Sequence, residues 1–188
     1  MKTRTTPKRR NAPQTKARIL AAAQQAFSEQ GYSQSGIRDI AAIADVSSTM
    51  LLRYYGTKAA LFEAALIAAM PIGELLAATE RGKFGETLAA QFLNAAVDIK
   101  PPSIIALATG DAEARDVATR VIEERIITPM AKWLGAPDAQ VRALEIVMLA
   151  MSFVQFSRQF PLIPKRRGAD RKLAQWFASS VQAIVDQR

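Results

Sequence analysis

Apolar residues recur along this chain at intervals of three and four, the period of helices rather than strands. Ile19, Leu20, Ala23, Ala26 and Phe27 mark the apolar face of a first helix, which starts near Pro13 and is stopped by Gly31. Ser35 can cap a second helix carrying Ile37, Ile40, Ala41 and Ala44. After a break at Asp45-Val46, Ser47 can cap a third, SSTMLLRYY. Thr57 can cap a fourth with Leu61, Phe62, Ala65 and Leu66, which Pro71 should end or kink. Beyond it the pattern predicts helices at about 83–99, 102–108, 111–134, 137–160 and 169–186, separated by Gly and Pro breaks, with a kink or early end at Pro129. The expected fold is all-α with about nine helices.

Three short helices with a tight turn between the second and third have the shape of a helix-turn-helix. The expected organisation is a disordered basic arm over 1–12, a helix-turn-helix domain over 13–58, and a larger helical domain over 59–188. Charge follows the same division. Residues 1–58 carry ten Lys or Arg against three acids (Glu29, Asp39 and Asp45), net +7, whereas residues 59–188 carry fifteen against fourteen, net +1. A surplus confined to one segment points to a polyanion partner, because neutralised phosphates release counterions; the plainer reading is a solvated basic tail.

The chain contains no Cys and no His. That removes disulfides, thiolate metal sites, the commonest zinc ligands and the nucleophile-His pairings of hydrolases. The acidic clusters, Glu123-Glu124 and Asp111-x-Glu113, lack a Glu-x-x-His partner, so no enzyme, metal or cofactor is expected. The basic N-terminus has no apolar run of the secretory kind, and uninterrupted apolar stretches such as IVMLAMSFVQF fall short of about 18 residues. A mature, soluble, cytoplasmic protein with no membrane partner is expected.

The segment GYSQSGIRDIAAIADVSSTMLLRYYGTKAALFEAAL, Gly31 to Leu66, carries a long ordered pattern: Gly-aromatic, a Ser cap, I-A-x-x-A, V-S, a short helix, paired aromatics, a small polar residue with Lys, and Leu-Phe. It resembles the DNA-binding signature of the TetR family of transcription regulators. The residues also make sense apart from the resemblance. Ile37, Ile40, Ala41, Ala44, Val46, Leu51 and Tyr55 can form one small core with Leu20, Ala23 and Phe27. Ser47, Ser48, Thr49, Leu52 and Arg53 then point outward, giving the short polar face that a major groove about 12 Å wide admits. Ser48, Thr49, Met50 and Arg53 are candidates for base edges, since Arg can bond guanine and a Thr methyl or Met can touch a thymine methyl.

The resemblance implies further roles. Tyr54 and Lys58 match the family's phosphate contacts, with Ser35 and Ser33 adding hydrogen bonds near the start of the second helix. The sequence departs from the family at three places: Asp45 and Thr49 stand where Gly is usual or frequent, and Leu52 where a Tyr usually meets phosphate. The family fold also implies a ligand pocket in the larger domain and a two-fold homodimer through the last two long helices. Phe84, Leu88, Phe92, Trp133, Met148, Met151, Phe153, Phe156, Trp176 and Phe177 read mostly as core. Phe84, Phe92, Trp133 and Met151 are the apolar pocket candidates, and Gln91, Asn94 and Gln155 the polar residues that could orient a ligand. The resulting expectation is a repressor released from an inverted-repeat operator in double-stranded DNA by a small, mostly apolar effector. A constitutive DNA-binding protein without ligand and a helical carboxylate enzyme are the alternatives.

Overall fold

The computed structural model describes residues 12–160 and 162–187. Of the basic arm expected over 1–12, only Ala12 falls within them, as the first residue of a helix; the rest of that expectation lies outside the described residues. Every regular element among the described residues is a helix, and none is a strand. In order it runs α1 (Ala12–Gln34), α2 (Ile37–Ile43), α3 (Ser48–Tyr55), α4 (Lys58–Ala69), α5 (Ile72–Ala78), a short turn (Arg81–Lys83) and α6 (Phe84–Leu93). It continues as α7 (Pro101–Ala108), α8 (Ala112–Ile122), α9 (Thr128–Leu134), α10 (Ala139–Val154) and α11 (Ala169–Val185). With α4–α5 and α8–α9 each taken as one interrupted rod, the described residues form nine helices.

Three local departures from the expected elements have physical causes. Ser35 does not cap α2; that position is Gly36, which makes no side-chain cap bond, and the Ser35 hydroxyl instead donates to the Gly31 carbonyl at 2.7 Å. The helix expected to reach residue 99 stops at Leu93, because Asn94 turns its side chain onto the Ala96 amide at 3.0 Å and so competes with the helical ladder. Pro129 does not end its helix. The rod continues through a wide π turn over Glu123–Ile127, in which the Thr128 amide reaches back to the Glu123 carbonyl, so the ladder is already shifted where Pro129 supplies no N–H.

Two cores result. The first joins α1–α4 to α7 and α8 around an aromatic trio: Phe27 and Phe62 meet edge to face at 5.1 Å, and Tyr32 meets Phe62 at 5.3 Å. Ile40, Leu51, Leu61 and Leu66 fill it, each removed from water and each contributing about 1.5–3 kcal/mol. Gly31 is necessary here: its φ of 76° is left-handed, and a Cβ would stand 3.2 Å from that of Leu107 on α7.

The second core gathers α6, α9, α10 and α11 around Phe84, Phe153 and Phe177. α6 lies so close to α11 that a Cβ on Gly85 would fall 2.1 Å from the Ala178 carbonyl oxygen. At the far end, the buried Arg142 guanidinium donates to the carbonyls of Gly135, Pro137, Ile184 and Val185 at 3.0–3.1 Å. With no acid paired to it among the described residues, this cation is held by the negative ends of helices, and it ties the ends of α9 and α11 to the start of α10.

Two stretches, Lys58–Ala78 and Ala139–Gln159, reach 21 residues with mean hydropathy 1.7 and 1.3, long and apolar enough by composition to cross a bilayer, which corrects the expectation drawn from uninterrupted runs. The first breaks at Met70-Pro71 and buries Leu61, Phe62, Ala65 and Leu66 against α1 and α8; the second carries the buried Arg142. They are packed rods of the two cores.

Candidate DNA-binding face and body cavity

The turn between α2 and α3 sets the geometry of the reading head. Asp45 adopts φ 51°, the left-handed backbone for which the family's usual Gly is suited, and Asp is among the few side chains that accept it. The Asp45 and Val46 amides donate to the Ala42 and Ala41 carbonyls at 3.1 and 3.0 Å, closing α2. Ser47 then caps α3 by accepting from the Met50 amide at 3.1 Å. Only Leu51 of α3 is buried. Ser47, Thr49, Leu52 and Arg53 are exposed, and Ser48, Met50 and Tyr54 are half-buried at the edges of the same face. Leu52, at 41% exposure, is an apolar residue without a core to occupy.

Two of the expected phosphate contacts are redirected. Ser35 is completely buried, so its hydroxyl cannot reach a duplex. Ser33 is exposed, but its hydroxyl donates to the Asp111 carboxylate at 2.9 Å, on the cap of α8. Both mark a seam between head and body that the sequence did not disclose. Beside them the Tyr32 hydroxyl donates to Glu113 at 2.5 Å, and the Lys58 ammonium stands 4.3 Å from the Tyr32 ring centre. Burial, then the Glu113 carboxylate, pushes the Tyr32 phenol well above its ordinary value. The Ala114 amide and the Ser33 hydroxyl hold Asp111 below its own. Further along, Arg120 donates two bonds to Glu63 of α4 at 2.6 and 3.0 Å, and this fork lowers the Glu63 pKa.

Cations missed in the sequence complete the face. Lys16 reaches over the Tyr54 ring at 5.7 Å, and Arg18 lies 3.5 Å from Asp45. Thr15 and Arg18 border a polar groove of about 400 Å³ with Ser47 and Met50 at the start of α3. Arg38 is exposed on α2. The excess charge of residues 1–58 was the available signal, but the period of α1 alone does not reveal which of its turns lies beside α3.

The body holds an apolar cavity of about 190 Å³ between α4–α5, α6, α9 and α10. Of the expected pocket residues, Phe84, Gln91, Phe92 and Met151 line it. Three do not. Trp133 packs on Phe84 at 4.9 Å and beneath Arg81 at 5.1 Å, Asn94 caps its own loop, and Gln155 lies on the π turn that follows α10. Missed were Met70, Pro71 and Ile72 at the α4–α5 break, and Asp98, which with the exposed Gln91 marks the polar edge of the opening. Nor are all the expected core residues internal. Met148, Phe156 and Trp176 are 53–56% exposed, and with Val141 and Leu144 they form an apolar stripe along α10 and α11.

Comparison with known proteins agrees with this architecture. Residues 19–65 match the family model for bacterial regulatory proteins of the tetR family, and residues 82–185 match that for the tetracyclin repressor-like C-terminal domain. Among solved structures, one assigned to the TetR family from Rhodococcus sp. superposes with a TM-score of 0.74 at 14% identity, covering 93% of this chain and 100% of that one. Escherichia coli NemR in its reduced form gives 0.66 at 15% identity over 90% and 96% of the two chains. The fatty acid degradation regulator FadR of Bacillus halodurans gives 0.65 at 16% identity over 86% and 97%. At these identities the likeness is one of fold. No curated protein matches the chain as a relative. With one family model matching the N-terminal helices and a C-terminal one spanning more than half its length, the chain belongs to the TetR family of DNA-binding transcription regulators.

Proposed function

We propose that the protein is a cytoplasmic homodimeric repressor that leaves an inverted-repeat operator when a small, mostly apolar effector enters the body cavity. The observation that carries this reading is a shared helix. α4 starts directly after the recognition helix α3, capped by Thr57 through the Ala60 amide at 3.0 Å, and ends in the Ala69–Met70 wall of the cavity. An occupant pressing on the Met70-Pro71 break moves the rod on which the reading head is mounted, and in a dimer this changes the spacing of the two α3 helices. Arg53, Thr49 and Met50 meet base edges; Tyr54, Lys58, Lys16 and Arg38 meet phosphates. The pairing surface is the stripe of Val141, Leu144, Met148 and Trp176, whose exposure on one face suits an isologous contact.

The test is a thermal-stabilisation screen of apolar small molecules, followed by titration of each hit against a duplex selected from random DNA by the protein itself. Linkage requires reciprocity: an effector that weakens DNA binding about 100-fold must itself bind about 100-fold more weakly to the DNA complex. Hits that stabilise the protein without touching DNA affinity overturn the effector reading and leave a constitutive binder.

A further inference from the structure

The body is not uniformly charged. Of the fifteen Lys and Arg in residues 59–188, six fall between positions 158 and 172, against the single acid Asp170. Outside that stretch the body has nine cations and thirteen acids. Lys165, Arg166, Arg167, Arg171 and Lys172 are all exposed, and none makes an ion pair within 4 Å among the described residues. Five unpaired cations beside one another repel, so they favour an arrangement that brings anions to them.

Their position in the fold says which anions. α10 starts at the far end of the body, where Arg142 gathers the carbonyls of Gly135, Pro137 and Val185. It finishes at the near end. There Gln159 donates to Ser103 of α7 at 2.5 Å, and Arg158 donates to the carbonyls of Phe92 and Asn94 at 3.2 Å. α7 is the helix whose Leu107 closes on Gly31 of α1, and the turn after it delivers Asp111 to Ser33. The basic loop between α10 and α11 therefore leaves and re-enters the body on the side of the reading head. It also continues the exposed apolar stripe, through Phe156, Phe160 and Leu162. Pairing of two copies over that stripe would bring their loops toward the two-fold axis, on the head side of the body.

We propose that this loop is a second DNA contact: Lys165, Arg166 and Arg167, with Arg171 and Lys172 behind them, take backbone phosphates between the half-sites, independently of the helix-turn-helix. It rests on the dimer proposed above. The contact is electrostatic, so it adds affinity and salt dependence without reading sequence. An anionic lipid surface is the other polyanion that cations beside exposed Phe160 and Leu162 could meet. Continuity of those apolar residues with the pairing stripe favours DNA.

The test compares the full chain with its Lys165→Gln, Arg166→Gln, Arg167→Gln triple variant. All three positions are exposed, and unchanged thermal melting and dimer mass verify the fold. Binding to a duplex selected by the wild-type protein is followed by fluorescence anisotropy across a salt series. The variant should bind on the order of tenfold more weakly at physiological salt, with a log K against log salt slope shallower by about 2 or more. The same fold-loss should appear on an unrelated duplex of equal length. Neutral methylphosphonate linkages in the central base pairs should weaken the wild type and leave the variant unaffected. Equal slopes and affinities overturn the proposal, as does a central methylphosphonate effect that is the same in both proteins. If phosphatidylglycerol vesicles retain the wild type but not the variant while the DNA slopes coincide, the loop is a lipid contact and the proposal fails. Its failure is distinguishable from failure of the head: a wild type that binds no duplex removes the DNA reading, whereas a wild type that binds and a triple variant that matches it remove only the loop.

Discussion

Around Phe27 and Phe62 the interior is closed by small residues: Ala22, Ala23, Ala26, Ala41, Ala44 and Ala65 let helices approach until three aromatic rings fill the remaining space. Around Phe84 and Phe177 the buried residues are mostly larger, Leu, Ile, Met, Val and Phe with only Ala89, Ala131 and Ala143 among them, the helices are interrupted at Pro71 and by π turns, and about 190 Å³ stays open beside it. The contrast suits the proposed division of labour. A recognition helix presents side chains usefully only if its register is rigid, whereas a body that admits a ligand must keep void space and flexible side chains next to it. Substitutions at matched positions separate the two. Phe62→Ala should cost about 3–5 kcal/mol and abolish DNA binding, because the ring joins α4 to α1 in a close-packed core. Ala150→Leu, at the cavity wall, should change stability by under about 1.5 kcal/mol and leave DNA binding intact while blocking ligand. Urea unfolding and anisotropy measure both; a Phe62→Ala protein that still binds its operator would break the comparison.

Within the head, the next largest effects divide base from backbone. Arg53→Ala should cost about 1–3 kcal/mol on the selected site and relax preference at one base position, whereas Lys58→Ala should weaken every duplex alike. Equal losses on selected and random DNA for Arg53→Ala would move that side chain to the phosphate class.

These residues also mark how far the sequence could be read. Much of the head was legible because α2 and α3 are short and close in sequence: Ile40 and Leu51 are buried where periodicity puts them, and Ser47 and Thr57 cap α3 and α4 as their chemistry implies. The redirection of Ser33 and Ser35 was not legible. Their partners, Asp111 and the Gly31 carbonyl, depend on how α7 and α8 fold back on α1. The body was legible as helices but not as a site. A Trp or Asn on a helix has the same period whether it faces a void, a neighbour or its own loop, and this is how Trp133 and Asn94 differ from Phe84 and Gln91. The exposure of Met148 and Trp176 was hidden for the same reason: an exposed apolar face has the same period as an internal one.

Leu52 offers a finer test of the head's rigid face. Exposed at 41%, it stands where the family's usual Tyr donates to phosphate. Leu52→Tyr should tighten binding by about 1 kcal/mol on all duplexes if a phosphate lies within reach. Tightening on random DNA but loss on the selected duplex would show that Leu52 packs on a thymine methyl.

The smallest effect concerns the seam where the two regions meet. Tyr32 is 5% exposed and donates to Glu113, and its phenol is raised by burial first and by that carboxylate second. A raised folded-state value means that the neutral phenol is favoured in the native protein. Its contribution is therefore complete below the ordinary value of 10.0 and is lost as pH climbs above it toward the higher folded value. Burial raises Tyr55 in the same sense, so wild-type stability should decline above about pH 10 through both phenols. Tyr32→Phe keeps the ring against Phe62 and beneath Lys58 but removes the titrating hydroxyl. At neutral pH it should cost only about 0.5–1 kcal/mol, since Glu113 is open to water and recovers a partner there. Above pH 10 the variant should lose stability less steeply than the wild type, leaving the slope that Tyr55 supplies. Chemical denaturation at a series of pH values measures both. Identical alkaline slopes would place the hydroxyl outside the cooperative unit, so that head and body part at this seam before either core unfolds.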